Sequence, residues 1–163
     1  MRYKFYTADV FTDQIFGGNP LAVFPQASGL SDAQMKKVAK ELNLSEVVFI
    51  FPPTTPQATH RLRIFTPYME LPFAGHPTIG TAYVLATIGA VELVEPRTQV
   101  VFEEGVGLVP VTIRVRNQQP IFTQLTAAQM PECGPTPPPL DEIARLISLD
   151  ESDLVGGEMS PQA

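Results

Sequence analysis

The segment from Pro77 to Ile88 carries no charged residue, and its side chains Ile79, Ala82, Tyr83, Leu85, Ala86 and Ile88 cover nearly the whole circumference of a helix. A helix that is apolar all round has to be buried. Pro77 suits its first turn and Gly89 its C-terminal cap. The rest of the chain must supply the wrapping, and it offers mainly strands. Tyr3 to Phe11 is aromatic and β-branched, Gly17-Gly18-Asn19-Pro20 reads as a turn, and Leu21 to Phe24 resumes as a strand. Glu46 to Phe51 and Leu62 to Thr66 follow. After Pro96 come Val100 to Glu103, Val109 to Val115 and Ile121 to Leu125, the middle run alternating through Val111, Ile113 and Val115.

Two amphipathic helices complete the reading. Ser31 stands three residues before Gln34, the spacing of a capping box, and Met35, Val38, Ala39 and Leu42 follow at helical intervals. Its opposite face is Lys-rich, so this helix is expected on the outside of a sheet. A proline-rich stretch from Pro131 to Pro139 leads to a last helix, Leu140 to Leu149, and Val155 to Ala163 shows no clear structure. Many short strands around one buried helix predict an α+β fold, a curled, mostly antiparallel sheet or barrel wrapped on that helix. A lone parallel sheet would need more helical crossovers.

Composition narrows the function. The chain has 163 residues, the size of one domain, with 44% hydrophobic and 17% charged residues, and reads as globular. A net charge of −6 argues against nucleic acid as a partner, since phosphate affinity comes from Lys and Arg. With Cys133 as the single cysteine no internal disulfide can form. No apolar run approaches a membrane span, and Met1-Arg2-Tyr3-Lys4 does not open a leader, so a soluble cytoplasmic protein is expected.

Three segments invite a chemical reading: Gly18-Asn19-Pro20, Asn43-Leu44-Ser45-Glu46, and Glu70 to Gly80 around Gly75-His76-Pro77. Gly75 and His76 stand just before the buried helix, where unpaired N–H groups and the positive end of the helix dipole suit a carboxylate. The alternative is a tight turn at Gly75 and a structural histidine at a helix start. Glu46 opens the apolar run Val47-Val48-Phe49-Ile50-Phe51, and a carboxyl desolvated by such a run can act as a general acid and base. Its alternative is a solvated glutamate at a strand end. Asn19 is either a ligand donor or a turn residue kept for backbone reasons. Cys133 lies among prolines with no basic neighbour and reads as inert. His60 and His76 share no metal-ligand spacing with Cys or carboxylates, and no phosphate loop is present, so no metal or cofactor is expected.

Taken in order, Gly18-Asn19-Pro20-Leu21-Ala22-Val23, Asn43-Leu44-Ser45-Glu46, Arg63-Ile64-Phe65-Thr66-Pro67 and Glu70-Leu71-Pro72-Phe73-Ala74-Gly75-His76-Pro77-Thr78-Ile79-Gly80-Thr81-Ala82 resemble the N-terminal lobe of the PhzF-like phenazine-biosynthesis family. The likeness is close from Tyr3 to about Glu104 and looser beyond. It implies a diaminopimelate-epimerase-like fold of two similar lobes, each a curled sheet around a central helix, with the active site between them. It further implies a cofactor-independent isomerase that moves a proton on a small carboxylic acid. By residue match, Glu46 and His76 take the catalytic roles, and Asn19, Ser45, Gly75 and Pro77 lie at the substrate. Related proline racemases carry a catalytic cysteine where Ala74 stands, so a two-thiol mechanism is excluded here. Family members are about twice this length, which makes residues 1–163 a single lobe whose second lobe is missing from the sequence. A homodimer, or pairing with a separate second lobe, is the expected assembly. The alternative function is a noncatalytic lobe acting as a binding or assembly module. A thiol enzyme built on Cys133 is a third and lesser reading.

Overall fold

The computed structural model describes residues 2–127 and 134–154. Two compact units are present, residues 1–129 and 130–163. The first contains a sheet of eight strands: β1 (Tyr6–Val10), β2 (Asn19–Phe24), β3 (Glu46–Phe51), β4 (His60–Phe65), β5 (Glu70–Leu71), β6 (Arg97–Glu104), β7 (Gly107–Arg116) and β8 (Gln119–Leu125). Helix α1 (Asp32–Leu42) joins β2 to β3, and α2 (Gly75–Thr87) joins β5 to β6. The sheet order is β1-β2-β3-β4-β6-β7-β8, with β5 paired to β4. The pairs β2–β3 and β4–β6 are parallel and the others antiparallel, so the sheet is mostly antiparallel, as expected.

Central helix α2 touches β1, β2 and β3 from one end of that order and β7 and β8 from the other, which requires the sheet to curl round it. Intrinsic propensity does not explain this helix. Thr78, Ile79, Thr81, Val84 and Thr87 are β-branched and Gly80 is the poorest helix former after proline. Burial does. Ala82, Val84, Leu85 and Ala86 pack with Leu21, Val23, Val48, Ile64, Phe102 and Val111 in one core. Gly80 is needed for that approach, because a Cβ there would stand 2.7 Å from both Leu21 and Val10 side chains. The helix ends in a Schellman arrangement, with Ala90 N–H donating to Leu85 and Gly89 N–H to Ala86, and Gly89 at φ +72°.

Two features of α2, its start and its burial, depart from the sequence reading. Helix α2 starts at Gly75, so Gly75 and His76 lie inside its first turn and Pro77 is its third residue. Burial is also incomplete: Tyr83 is 43% exposed and, with Thr87 four residues on, forms a strip that the sheet leaves uncovered.

Strand alternation sorts the remaining apolar residues into a second core. Leu21 and Val23 of β2 and Val48 and Ile50 of β3 face α2, while Ala22, Phe24, Val47 and Phe49 face the other way and meet Met35 and Ala39 of α1. Both strands are therefore buried on both sides, and α1 lies on the outer face, as its single apolar stripe predicts. Its N-terminus carries the expected capping box between Ser31 and Gln34. Arg63 on β4 ties the start of α1 to β5, donating to Asp32 and Glu70 at 2.6 Å.

Residues 130–163 hold a short helix, α3 (Leu140–Leu146), and a 3-10 turn, Glu151–Asp153. α3 stops before the expected Leu149, because Ser148 takes φ +59° and Leu149 N–H closes on the Ala144 carbonyl. Cys133, part of the proline-rich stretch and the tail from Val155 lie outside the described residues.

The outer core makes a measurable claim. Phe49 stacks on Phe24 at 4.9 Å and meets Phe65 edge-on at 5.6 Å, with no exposure. Phe49→Ala is expected to destabilise the fold by about 3–5 kcal/mol, and Ser31→Ala by about 1 kcal/mol. Urea denaturation midpoints at constant slope check both. A Phe49→Ala loss no larger than that of Ser31→Ala would show that the outer core does not carry the sheet.

Candidate active site

Parallel pairing of β2 with β3 sets the site. In that register Leu21 lies opposite Glu46, so the N-terminal ends of the two strands are neighbours and Asn19 approaches Ser45 and Glu46. The buried start of α2 then brings His76 against them. Ser45 Oγ donates to Asn19 Oδ1 at 2.8 Å, and Asn19 Nδ2 lies 3.2 Å from His76 Nδ1. His76 Nε2 is 3.2 Å from Glu46 Oε2. The result is a polar chain, Ser45–Asn19–His76–Glu46, drawn from two strands and a helix.

Asn19 fixes the chemistry of the ring. Its amide oxygen is occupied as an acceptor from Ser45, so its NH2 group faces Nδ1. With the amide turned this way Nδ1 accepts, which assigns the proton to Nε2, facing Glu46; the assignment rests on the Ser45–Asn19 bond. The Nε2–Oε2 contact has the length of an ion pair but lacks hydrogen-bond alignment, and neither atom has another hydrogen-bond partner among the described residues. Two buried polar atoms with unspent bonding capacity, side by side, are what a proton-handling site requires. Burial pulls the His76 pKa below its ordinary 6.5, against the Glu46 carboxylate and the Pro20 carbonyl, which pull it up.

The first turn of α2 supplies donors beside the ring. Ala74 is the N-cap and offers no side-chain bond, Pro77 has no N–H, and Thr78 N–H bonds the Ala74 carbonyl. That leaves the Gly75 and His76 N–H groups without partners among the described residues, at the positive end of the helix dipole. A Cβ built on Gly75 would meet nothing within 4 Å, so the approach to this turn is open. Pro77 itself is buried in the turn. Phe11, at φ +64° in the β1–β2 loop, flanks His76 with ring centroids 6.5 Å apart.

The sequence-predicted residues Asn19, Ser45, Glu46, Gly75, His76 and Pro77 therefore assemble in one place. Asn19 belongs to β2 rather than to a turn, and its side chain is engaged in the chain of contacts. His60 is elsewhere, on β4 with its ring against Phe102. It lines a cleft of about 870 Å³ with Arg2, Tyr6, Leu85 and Ile88, at the opposite end of α2, and that cleft contains none of the site residues. No cluster of three or more His, Cys, Asp or Glu side chains that could hold a metal ion occurs among the described residues. No described helix is long and apolar enough to cross a membrane. Two residues at the site's edge were given no role from the sequence, Thr78, quoted there only as part of the motif, and Glu104; both are buried and bonded to each other at 2.8 Å. A signal for Glu104 did exist: it continues the inward phase of Val100 and Phe102 on β6.

Comparison with known proteins bears on the family and the fold. The model of the family described as phenazine biosynthesis-like protein, PhzC-PhzF, matches residues 8–160. An uncharacterized isomerase of Pasteurella multocida is 59% identical over 83 residues, 51% of this chain and 29% of that protein. A trans-2,3-dihydro-3-hydroxyanthranilate isomerase of Pseudomonas aeruginosa is 45% identical over 83 residues, 51% of this chain and 30% of that protein. Among solved structures, a predicted epimerase from Pseudomonas aeruginosa superposes with a TM-score of 0.78 at 30% identity, over 95% of this chain and 54% of its own. The chain thus spans about half of that solved relative and less of the curated ones. The diaminopimelate-epimerase-like lobe and the family implied by the motifs are both present, and the chain belongs to the phenazine biosynthesis-like PhzC-PhzF family.

Proposed function

We propose that the chain is the proton-transferring lobe of an isomerase acting on a small carboxylic acid, without metal or nucleotide. The observation that carries this is the contact of Glu46 Oε2 with His76 Nε2 at 3.2 Å, two buried atoms with no hydrogen-bond partner among the described residues, beside the open first turn of α2. The Gly75 and His76 N–H groups would hold the substrate carboxylate. Glu46 Oε2 faces His76, which leaves Oε1 for the substrate. In its carboxylate form Glu46 takes a proton from a C–H bond next to an electron-withdrawing group; the electron pair shifts along the substrate, and Glu46, whose proton exchanges with solvent, delivers a proton to another carbon of the same molecule. The net composition is unchanged. His76 steadies the carboxylate through Nε2–H, and Asn19 and Ser45 hold the ring in that tautomer. The isomerase named for Pseudomonas aeruginosa acts on a ring carboxylic acid, and a substrate of that kind fits the same reading.

A second reading rests on a different observation. Phe11, Ile15 and Phe16 are exposed in the loop beside His76, Phe16 at 93%. Such an apolar rim suits a partner surface, supplied by a second lobe or another copy, and a lobe with that role alone needs no catalysis. Sedimentation velocity and turnover separate the two. A soluble monomer leaves the rim without a partner and removes the second reading.

Glu46→Gln is expected to lower kcat by roughly 10²–10⁴-fold with little change in substrate affinity, and product formed in D2O by the unsubstituted protein should carry deuterium. Retained turnover in Glu46→Gln, or product free of deuterium with turnover intact, would remove Glu46 from the role. The ring is a separate test. His76 should titrate below its ordinary 6.5 in NMR of the imidazole, and in Glu46→Gln its midpoint should fall further, because the attraction of the carboxylate is gone. The unfolded chain takes up that proton at the ordinary value. His76 therefore contributes fully to stability above 6.5, and the contribution is lost as pH falls below it. A His76 midpoint above 6.5 would contradict the buried neutral ring.

A further inference from the structure

The last inward residue of β6 is a carboxylic acid where the pattern calls for a hydrocarbon. Val100, Phe102 and Glu104 share one face, and Glu104 is only 7% exposed. Its Oε1 stands 2.8 Å from Thr78 Oγ1, and the same Oγ1 stands 2.8 Å from the Ala74 carbonyl oxygen. The hydroxyl has one hydrogen. If Glu104 is ionised, both neighbours are acceptors and one contact sets two oxygens face to face without a proton between them. A proton on Glu104 resolves this: the acid donates to Oγ1, and Oγ1 donates to Ala74.

The surroundings agree. Glu104 Oε2 has no hydrogen-bond partner and Glu104 makes no ion pair among the described residues, which is costly for a buried carboxylate and mild for a neutral acid. The charges nearby are engaged elsewhere. Arg63 of β4 is held by Glu70 of β5 and by Asp32, Glu103 accepts from Thr54 and is drawn on by Arg61, and His76 of α2 faces Glu46. Across the ladder β7 brings only Gly107 and Leu108. Burial pushes the Glu104 pKa up to about 7, with the Thr78 hydroxyl pulling the other way.

We propose that Glu104 is a positioning residue for the site: acting through Thr78 it holds the Ala74 carbonyl, and so sets the turn from which the Gly75 and His76 N–H groups and the His76 ring project. Its meaning for turnover rests on the isomerase reading; the contact itself does not. When Glu104 loses its proton it claims the Thr78 hydrogen, and the Ala74 carbonyl keeps only the long 3.3 Å bond from Thr78 N–H. The first turn then loosens on the alkaline side.

The test needs no substrate. Amide NMR of the 163-residue chain, followed from about pH 5 to about pH 9, should show the Gly75 and His76 resonances moving in a step centred at about 7. Glu104→Gln, whose NH2 donates to Oγ1 at every pH, should lose that step while keeping the separate one from His76 below 6.5. Thr78→Val should lose the step as well, and Thr78→Ser, which keeps the hydroxyl, should retain it. The Thr78 pair decides the matter if Glu104→Gln does not fold. A step that persists in Glu104→Gln or Thr78→Val, or a wild-type chain without one, overturns the proposal. Turnover is a second readout: activity should decline above about pH 7 in the wild type and hold level in Glu104→Gln. If the amide step is found and no isomerisation is, the isomerase reading fails and the positioning contact stands.

Discussion

Burial of α2 inside the curled sheet is the condition on which the rest of the structure depends. A thirteen-residue helix rich in β-branched residues, with glycine at its centre, is marginal in water by itself. It exists because Leu21, Val48, Ile64, Phe102 and Val111 cover it, and the sheet curls because the helix gives those side chains something to cover. Neither element is stable without the other. The helix N-terminus consequently sits at a fixed place, between the start of β2 and the start of β3, and the chemistry is built there.

The same packing explains why the site is polar in an apolar setting. A helix start leaves N–H groups unpaired wherever it lies, and a buried start must satisfy them or expose them to a ligand. Here Pro77 removes one donor, Thr78 N–H turns back to Ala74, and the Gly75 and His76 N–H groups remain. His76 is desolvated by its position in that turn, and its two ring nitrogens are then addressed by side chains from neighbouring strands. The outer core on α1 has no such residue and is purely a matter of packing.

Much of this was legible in the linear pattern. Strict alternation in Val109 to Val115 names a half-buried strand, the Ser31–Gln34 spacing names a helix start, and an uncharged helix names its own burial. The site residues were identified through the motif resemblance, because the residues alone left Glu46, His76 and Asn19 open between structural and chemical roles. Boundaries were less legible. Gly75 and His76 look like a linker because glycine and proline flank the histidine, yet the helix begins at Gly75, since its first residues need no intrahelical N–H partner and proline is tolerated there. Glu104 shows a different limit. The period of two places it inward, but an acidic residue at a strand end reads equally well as solvated.

By itself, then, the sequence determined which segments are strands and helices, which faces are apolar, and which short motifs sit at the ends of elements. Those properties are local: they follow from the periods of the helix and the strand and from capping chemistry. Only the tertiary structure decided which nitrogen of His76 meets Glu46, that Asn19 is clamped between Ser45 and the ring, and that Glu104 closes on Thr78. Each of these contacts joins residues 26 to 57 positions apart or rests on parallel strand register, and register is set by the whole core rather than by any one segment.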